Sequence, residues 1–245
     1  MTKGPILFDL DETEAAPGPD AAPPVPDPEM PEAPEGRAML TVATLAAGAD
    51  FYAAPRLSPD GQQLAWLSWS HPNMPWDGCT LTLASFDGGG MVEASDVIAG
   101  GADEALFQPE WSPSGVLYFV SDRSGWWNLY RWREGAVQPV CPMPLEFGLP
   151  QWVFNMRTYG FLDDDRILAV GQMDGLAKLF SIDTADGEVE SMPAPFVEMQ
   201  GFVTGEGCAV CIGGGLREAP VLAVIDAATG TVRKIKRSSN RQLEA

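Results

Sequence analysis

The chain has 245 residues, of which 45% are apolar and 20% charged, with 34 aspartates and glutamates against 15 lysines and arginines for a formal charge of −19. An apolar share of this size supports a packed core, so the chain as a whole is not a disordered polymer. The charge excludes nucleic acid and anionic membrane surfaces as partners, because both are bound through lysines and arginines that displace counterions. No apolar run approaches the roughly 20 residues of a membrane-spanning helix. Residues 1–10 hold no basic segment followed by an apolar stretch, so a cytoplasmic location is expected.

Residues 1–48 read as a separate leader. Nine prolines lie between Pro5 and Pro34, and nine carboxylates outnumber Lys3 and Arg37. Such a segment cannot bury enough apolar surface to offset its ordering entropy, so Asp11 to Arg37 are expected to be disordered. Arg37 to Ala47 (RAMLTVATLAA) have the composition of a short helix, too short to be stable alone in water. The stretch MTKGPILFDLDETEAAPGPD, with the proline run after it, resembles the N-terminal segment of a family of bacterial inner-membrane proteins of unknown function. The membrane helices of that family do not follow here, and the resemblance implies no membrane location.

From Asp50 the texture changes to short apolar runs separated by Gly, Asp and Pro clusters, the pattern of an all-β chain. An internal repeat organises it: APRLSPDGQQLAWLSW from Ala54 returns as QPEWSPSGVLYFVSD from Gln108, and Pro55 to Pro109 is a shift of 54 residues. A third copy begins LPQW at Leu149 and a fourth QGFVTGEGCAVCIGG near Met199. Each copy reads as four strands; in the third, the first strand is QWVFNMRTYGFLD. Residues 50–237 divide into four units of about 47 residues, the length of a four-stranded propeller blade. Runs such as LAWLSW and VLYFVS are apolar on both faces, as needed where a blade has a neighbour on either side. The expectation is a partial β-propeller of about four blades over residues 49–237, followed by a tail, 238–245. A β-sandwich is the alternative, but it does not account for a four-strand repeat.

FYAAPRLSPDGQQLAWLSWSHPNMPWDG and ADEALFQPEWSPSGVLYFVSDRSGWWNLYR resemble the N-terminal propeller of bacterial prolyl oligopeptidase-family serine peptidases of the acylaminoacyl and dipeptidyl peptidase type. The most specific stretches are HPNMPWDG (71–78) and SDRSGWWNLYR (121–131). The resemblance implies a propeller that, in the family, sits over an α/β-hydrolase domain and filters substrates reaching a Ser, Asp, His triad. Family propellers have seven or so blades. No GxSxG nucleophile elbow occurs here, and no position matches a triad motif, so no catalytic residue is carried over.

Individual candidates support the same expectation of no catalytic, cofactor-binding or metal-binding residue and no cofactor. His71 is the only imidazole; a serine nucleophile needs a base beside it, and the flanking Pro72 and Pro75 make this loop a rigid connection. Cys208 and Cys211 form a CxxC, but in a strand they point to opposite faces, and nothing in the spacing of Cys79, Cys141 and His71 completes a zinc site. These are expected to be structural thiols. Asp163, Asp164 and Asp165 lack the spacers and glycine turn of a hard-cation loop and read as a solvated hairpin tip. Trp126 and Trp127 alternate, one toward core and one toward a channel or interface. Arg233, Lys234, Lys236 and Arg237 read as a charged edge strand protected from promiscuous pairing.

The resulting expectation is a non-catalytic propeller fragment, at most an interaction or gating module, produced by truncation or fusion. The alternatives are a free-standing TolB-like or WD-type propeller that binds a protein partner, and the propeller half of a peptidase whose hydrolase domain is on another chain. Four blades from a larger ring leave open faces, with Trp66, Leu67, Val221 and Leu222 exposed at the ends, so the chain is expected either to self-associate, as two half-rings forming an eight-bladed closed dimer, or to be marginally stable and aggregate. Limited proteolysis is expected to cut first between about residues 10 and 50 and leave a β-rich fragment that retains nearly all the tryptophan fluorescence; protection of that segment in hydrogen exchange would contradict the leader's disorder.

Overall fold

In the computed structural model, which describes residues 43–239, sixteen strands form four separate antiparallel sheets of four, each ordered as a simple meander. Blade 1 comprises β1 (Phe51–Leu57), β2 (Gln63–Trp69), β3 (Thr80–Phe86) and β4 (Val92–Gly100). Blade 2 comprises β5 (Leu106–Trp111), β6 (Leu117–Ser121), β7 (Asn128–Arg133) and β8 (Ala136–Pro139). Blade 3 has β9 (Tyr159–Phe161), β10 (Arg166–Met173), β11 (Leu176–Asp183) and β12 (Val189–Met192), and blade 4 has β13 (Glu198–Gly205), β14 (Cys208–Gly214), β15 (Val221–Asp226) and β16 (Val232–Arg237). The chain divides into two units, Met1–Gly48 and Ala49–Ala245. The disorder expected for residues 11–37 lies outside the described residues. Among the described residues no helix is long and apolar enough to cross a membrane.

The core consists of three layers, one between each pair of consecutive blades, and strand alternation assigns every side chain to its layer. In β6, Leu117 and Phe119 pack with Ala65, Leu67 and Leu81 of blade 1. The intervening Tyr118 and Val120 pack with Tyr159, Ile167 and Ala169 of blade 3. In β10, Ile167 and Ala169 join that layer, whereas Leu168 and Val170 pack with Ala209, Cys211 and Ala223 of blade 4. A period of two with apolar residues at both parities is the sequence mark of a strand covered on both sides.

The 54-residue repeat is also a repeat of backbone shape. Ser58 and Ser112 each accept the turn amide of a glycine three residues on, Gly61 and Gly115. β1, β5 and β13 each carry a bulge, with a left-handed residue at Ala54 (φ 50°), Gln108 (φ 47°) and Gly201 (φ 58°). A non-glycine residue with positive φ is uncommon, and Gln108 shows what holds it there. Its amide nitrogen donates to the Tyr159 carbonyl at 2.7 Å, its amide oxygen accepts from Thr158 N–H at 2.7 Å, and the Tyr159 hydroxyl donates to the Gln108 carbonyl at 2.8 Å. The three buried bonds pin blade 2 to blade 3. Burial, and after it the negative Glu110 nearby, pushes the Tyr159 phenol up, so it keeps the proton this bond requires.

Two expectations need correction. Residues 151–158 are not strand: Glu146 bridges Gln172 of β10, the chain leaves the sheet, and pairing resumes where Val170 N–H donates to the Thr158 carbonyl. The inner strand of blade 3 is therefore interrupted by an excursion, and only Tyr159–Phe161 remain as β9. At the ends of the array, Leu222 is exposed as expected, but Leu67 and Val221 are buried because their parity points them into inter-blade layers. Trp66 points outward yet is only 8% exposed, and its cross-strand partner Thr82 is equally withdrawn.

Replacing Gln108 with leucine leaves Thr158 N–H and the Tyr159 carbonyl without these partners in the core. At about 1–3 kcal/mol for each stranded buried group, the expected loss of unfolding free energy in urea is about 2–5 kcal/mol. Gln62→Leu, at an exposed turn, serves as the control and is expected to stay within about 0.5 kcal/mol of the parent.

Candidate functional site

Because each blade is a meander and consecutive blades follow the same course, the β2–β3 and β6–β7 loops share one end of the array with the connections between blades. The large apolar side chains of the loops gather at this end. Trp152 (73% exposed) and Phe154 (69%) stand with Val153 in the excursion before β9, and exposed Met74, Trp126 and Leu216 lie on other loops of the same end. The Trp76 and Trp152 rings meet at 4.3 Å with a 44° tilt. The opposite end exposes few large apolar side chains, Leu57 and Met91 among them.

The two stretches that carry the family resemblance build this end. In HPNMPWDG, Met74 N–H donates to the Asp77 carboxylate at 2.9 Å, Asp77 and Gly78 amides return to the Met74 carbonyl, and the Asn73 amide donates to the Ala102 carbonyl at 2.8 Å. Gly78 is required: a Cβ there would sit 2.1 Å from the Ala102 carbonyl oxygen. The loop is thereby fixed on the connection to blade 2 and holds Trp76 against Trp152. In SDRSGWWNLYR, the Asp122 carboxylate accepts Ala105 N–H at 2.9 Å, while the Arg123 guanidinium binds Glu104 at 2.8 Å and lies 5.2 Å from the Tyr130 ring centroid. Burial pushes the Asp122 carboxyl up, against the pull of the Ala105 amide. Trp127 N–H donates to Glu146 at 2.7 Å and its indole covers Gly148, where a Cβ would meet the ring at 1.8 Å. Trp127 is thus partly buried against the blade 2–blade 3 layer and Trp126 exposed, the alternation expected of the pair.

The remaining candidates are placed as follows. His71 is exposed; its ring meets Phe51 edge-on at 5.1 Å, and its backbone amide donates to Asp50. The cleft beside it contains Ser68 and Thr80, whose hydroxyls are bonded to each other at 3.0 Å. Asp163 caps the Asp165 amide, and Asp164 accepts Ser114 N–H at 2.5 Å, tying the blade 3 hairpin tip to blade 2. Among the described residues no group of three metal-ligating side chains converges. All four cysteines are free thiols. Cys211 is buried in the blade 3–blade 4 layer and Cys208 is half-buried, three residues apart on β14. Arg233, Lys234, Lys236 and Arg237 lie on the outermost strand β16, with Lys234 paired to Glu218. Trp152, Val153 and Phe154 escape a sequence reading because a short apolar run reads as strand; the breaker Gly148-Leu149-Pro150 ahead of them is the signal for a loop.

No family model and no curated protein matches the chain. Among solved structures, puromycin hydrolase is 35% identical over 80% of this chain and 30% of its own length, with a TM-score of 0.72. A puromycin-hydrolysing peptidase of Mycobacterium tuberculosis is 32% identical over the same shares, with a TM-score of 0.74. Two more distant structures share the fold alone. Prolyl oligopeptidase B of Galerina marginata is 10% identical over 78% of this chain and 27% of that one, and TolB of Acinetobacter baumannii is 15% identical over 78% and 44%, both at a TM-score of 0.55. The described fold is thus similar to the N-terminal propeller region of prolyl oligopeptidase-family serine peptidases. The chain spans about 30% of the length of the puromycin-hydrolysing proteins it matches.

Burial pushes the Cys79 and Cys141 thiols up to about 12 and the Cys211 thiol up to about 11. Alkylation of the native chain at pH 8, followed by mass spectrometry, is expected to label Cys208 first and the other three only on unfolding. The unfolded chain ionises these thiols near pH 8.5 and the folded chain does not, so stability is expected to fall as pH rises above about 8.5. Labelling of Cys211 as fast as Cys208 would show that the seam between blades 3 and 4 opens.

Proposed function

We propose that this chain is a non-catalytic propeller module that acts by contact, gating or holding a partner domain through the aromatic end face around Trp76, Trp152 and Phe154. The observation that carries the reading is the placement of its one imidazole. Acyl transfer of the serine-peptidase kind requires a histidine within hydrogen-bonding reach of the nucleophile's hydroxyl. His71 instead packs edge-on to Phe51 at an exposed turn, and the nearby hydroxyls of Ser68 and Thr80 are engaged with each other.

The end face supports the contact half of the proposal. Tryptophan and other aromatic side chains are enriched among residues that dominate binding energy, and the loop that carries Trp76 is held by hydrogen bonds from Met74 N–H to Asp77 and from the Asn73 amide to the Ala102 carbonyl. At Trp76 a partner meets a loop already bonded in place, so association there costs less loop entropy than it would on an unconstrained loop. The split-peptidase reading is the version of this proposal in which the partner is a hydrolase domain.

The purified chain is expected to release no product above background from puromycin or from aminoacyl p-nitroanilides; turnover abolished by a serine-directed inhibitor would overturn the non-catalytic reading. The catalytic portion of a puromycin hydrolase, prepared without the stretch matched here, is the probe for the partner. Binding is expected to weaken at least tenfold with Trp152→Ala plus Phe154→Ala, and unchanged binding of that variant would remove the end face from the proposal.

A further inference from the structure

The excursion between blades 2 and 3 is held at its neck and free above it. Phe147 N–H donates to the Trp127 carbonyl at 2.7 Å and the Thr158 hydroxyl donates to the Phe147 carbonyl at 2.5 Å, so the two ends of the segment are bonded to each other. Thr158 N–H donates to the Gln108 side chain, Arg157 pairs with Glu110 at 3.1 Å, and Met156 packs on the layer between blades 2 and 3. Above this neck the ties stop. From Pro150 to Asn155 the hydrogen bonding among the described residues is one bond inside the segment, Trp152 N–H to the Pro150 carbonyl. Asn155 takes a left-handed turn (φ 62°), and Trp152, Val153 and Phe154 are all exposed. A surface segment of this size whose ends meet is an Ω-loop, a frequent carrier of function. The ring contact that joins its tip to the rest of the array is Trp152 on Trp76.

We propose that residues 148–157 form a hinged cover that alternates between a latched position, with Trp152 on Trp76, and a released one in which both indoles face solvent. The two sides of the contact differ in stiffness. Trp76 stands on the β2–β3 loop of blade 1, which is bonded within itself and to Ala102, and it is half-buried although it lies at the exposed end of the array. Trp152 reaches it from the approach to blade 3, so the cover spans the end of blade 2. An aromatic pair is worth a factor of about two to ten beyond the area it covers. Here that gain is set against the entropy of ordering six residues with no bond to their surroundings. Segments with so few buried contacts open far more readily than the fold as a whole. Latched, the cover withholds the Trp76 face; released, it adds that face to the apolar surface of this end. Its use rests on the end face being the contact surface proposed above, whereas its movement is a property of the chain alone and is measured without a partner.

Two indoles in ring contact couple as excitons, so circular dichroism of the 245-residue chain is expected to contain a tryptophan couplet. The couplet should disappear equally in Trp76→Leu and in Trp152→Leu, with no further loss in the double variant. On heating the parent, the couplet, taken as the difference from the double variant, is expected to fade about 10 °C or more below the transition of the sheets. Chymotrypsin is expected to cut after Trp152 or Phe154 about fivefold faster in Trp76→Ala than in the parent, while Met91→Ala, at the opposite end, leaves that rate unchanged. A couplet that is absent, or that persists until the sheets melt, overturns the proposal. So does cleavage at Trp152 and Phe154 that is indifferent to Trp76→Ala. Failure of the end-face reading looks different: the couplet and the cleavage respond as described, supporting the cover, while the Trp152→Ala plus Phe154→Ala variant binds the hydrolase portion unchanged.

Discussion

A sheet that is apolar on both faces cannot satisfy itself; it needs a neighbour on each side before its burial exceeds the entropy cost of ordering it. Blades 2 and 3 are built this way. Leu117 and Phe119 face one neighbour while Tyr118 and Val120 face the other, all four nearly free of solvent contact. No single blade is therefore a folding unit, and the stability of blades 2 and 3 is shared with what flanks them. Blade 4 shows the counterpart, with one face packed against blade 3 and Val203, Ile212 and Leu222 exposed on the other.

Apolar layers tolerate sliding, and polar contacts between blades set the register. The Gln108 amide engages residues 158 and 159, the Trp111 indole N–H donates to the Arg56 carbonyl at 2.9 Å, and the Arg131 guanidinium donates to the Thr184 carbonyl at 2.6 Å. Glu110 forms ion pairs with Arg56 of blade 1 at 3.5 Å and Arg157 at 3.1 Å, so one carboxylate on an inner strand reaches cations on both sides. Each contact joins groups that are adjacent only when consecutive blades are stepped correctly. Because the partners are buried or half-buried, a misstep would leave polar groups unpaired, and that cost sharpens the preference for one stacking.

The strands of blades 1, 2 and 4 were legible because their physics is local: alternation, turn residues and the 54-residue recurrence all lie within short windows. The hairpin serines Ser58 and Ser112 and the opposed Cys208 and Cys211 follow from the same local rules. Gln108 was not legible, since a glutamine in a strand is unremarkable until its partners, fifty residues away, are known. The excursion before β9 was misread because QWVFNMR satisfies the composition of a strand; what removes it from the sheet is that Glu146 already occupies the place beside Gln172. Trp66 shows a further limit, for its outward parity was readable and its low exposure was not. The family resemblance rested on two stretches, and both turn out to build the same end of the array.

The excursion is anchored at both feet by the same strand, Glu146 to Gln172 on one side and Thr158 to Val170 on the other. Its length and content are consequently uncoupled from the alternation that builds the blades: residues can be added, removed or exchanged between the feet without turning any core side chain to the wrong face. A segment with that freedom can vary its chemistry rapidly while the scaffold stays constant, as hypervariable loops do on an immunoglobulin sandwich. In this fold the place where recognition can diversify is a single graftable loop, and the aromatic trio Trp152, Val153 and Phe154 is one version of what it can hold.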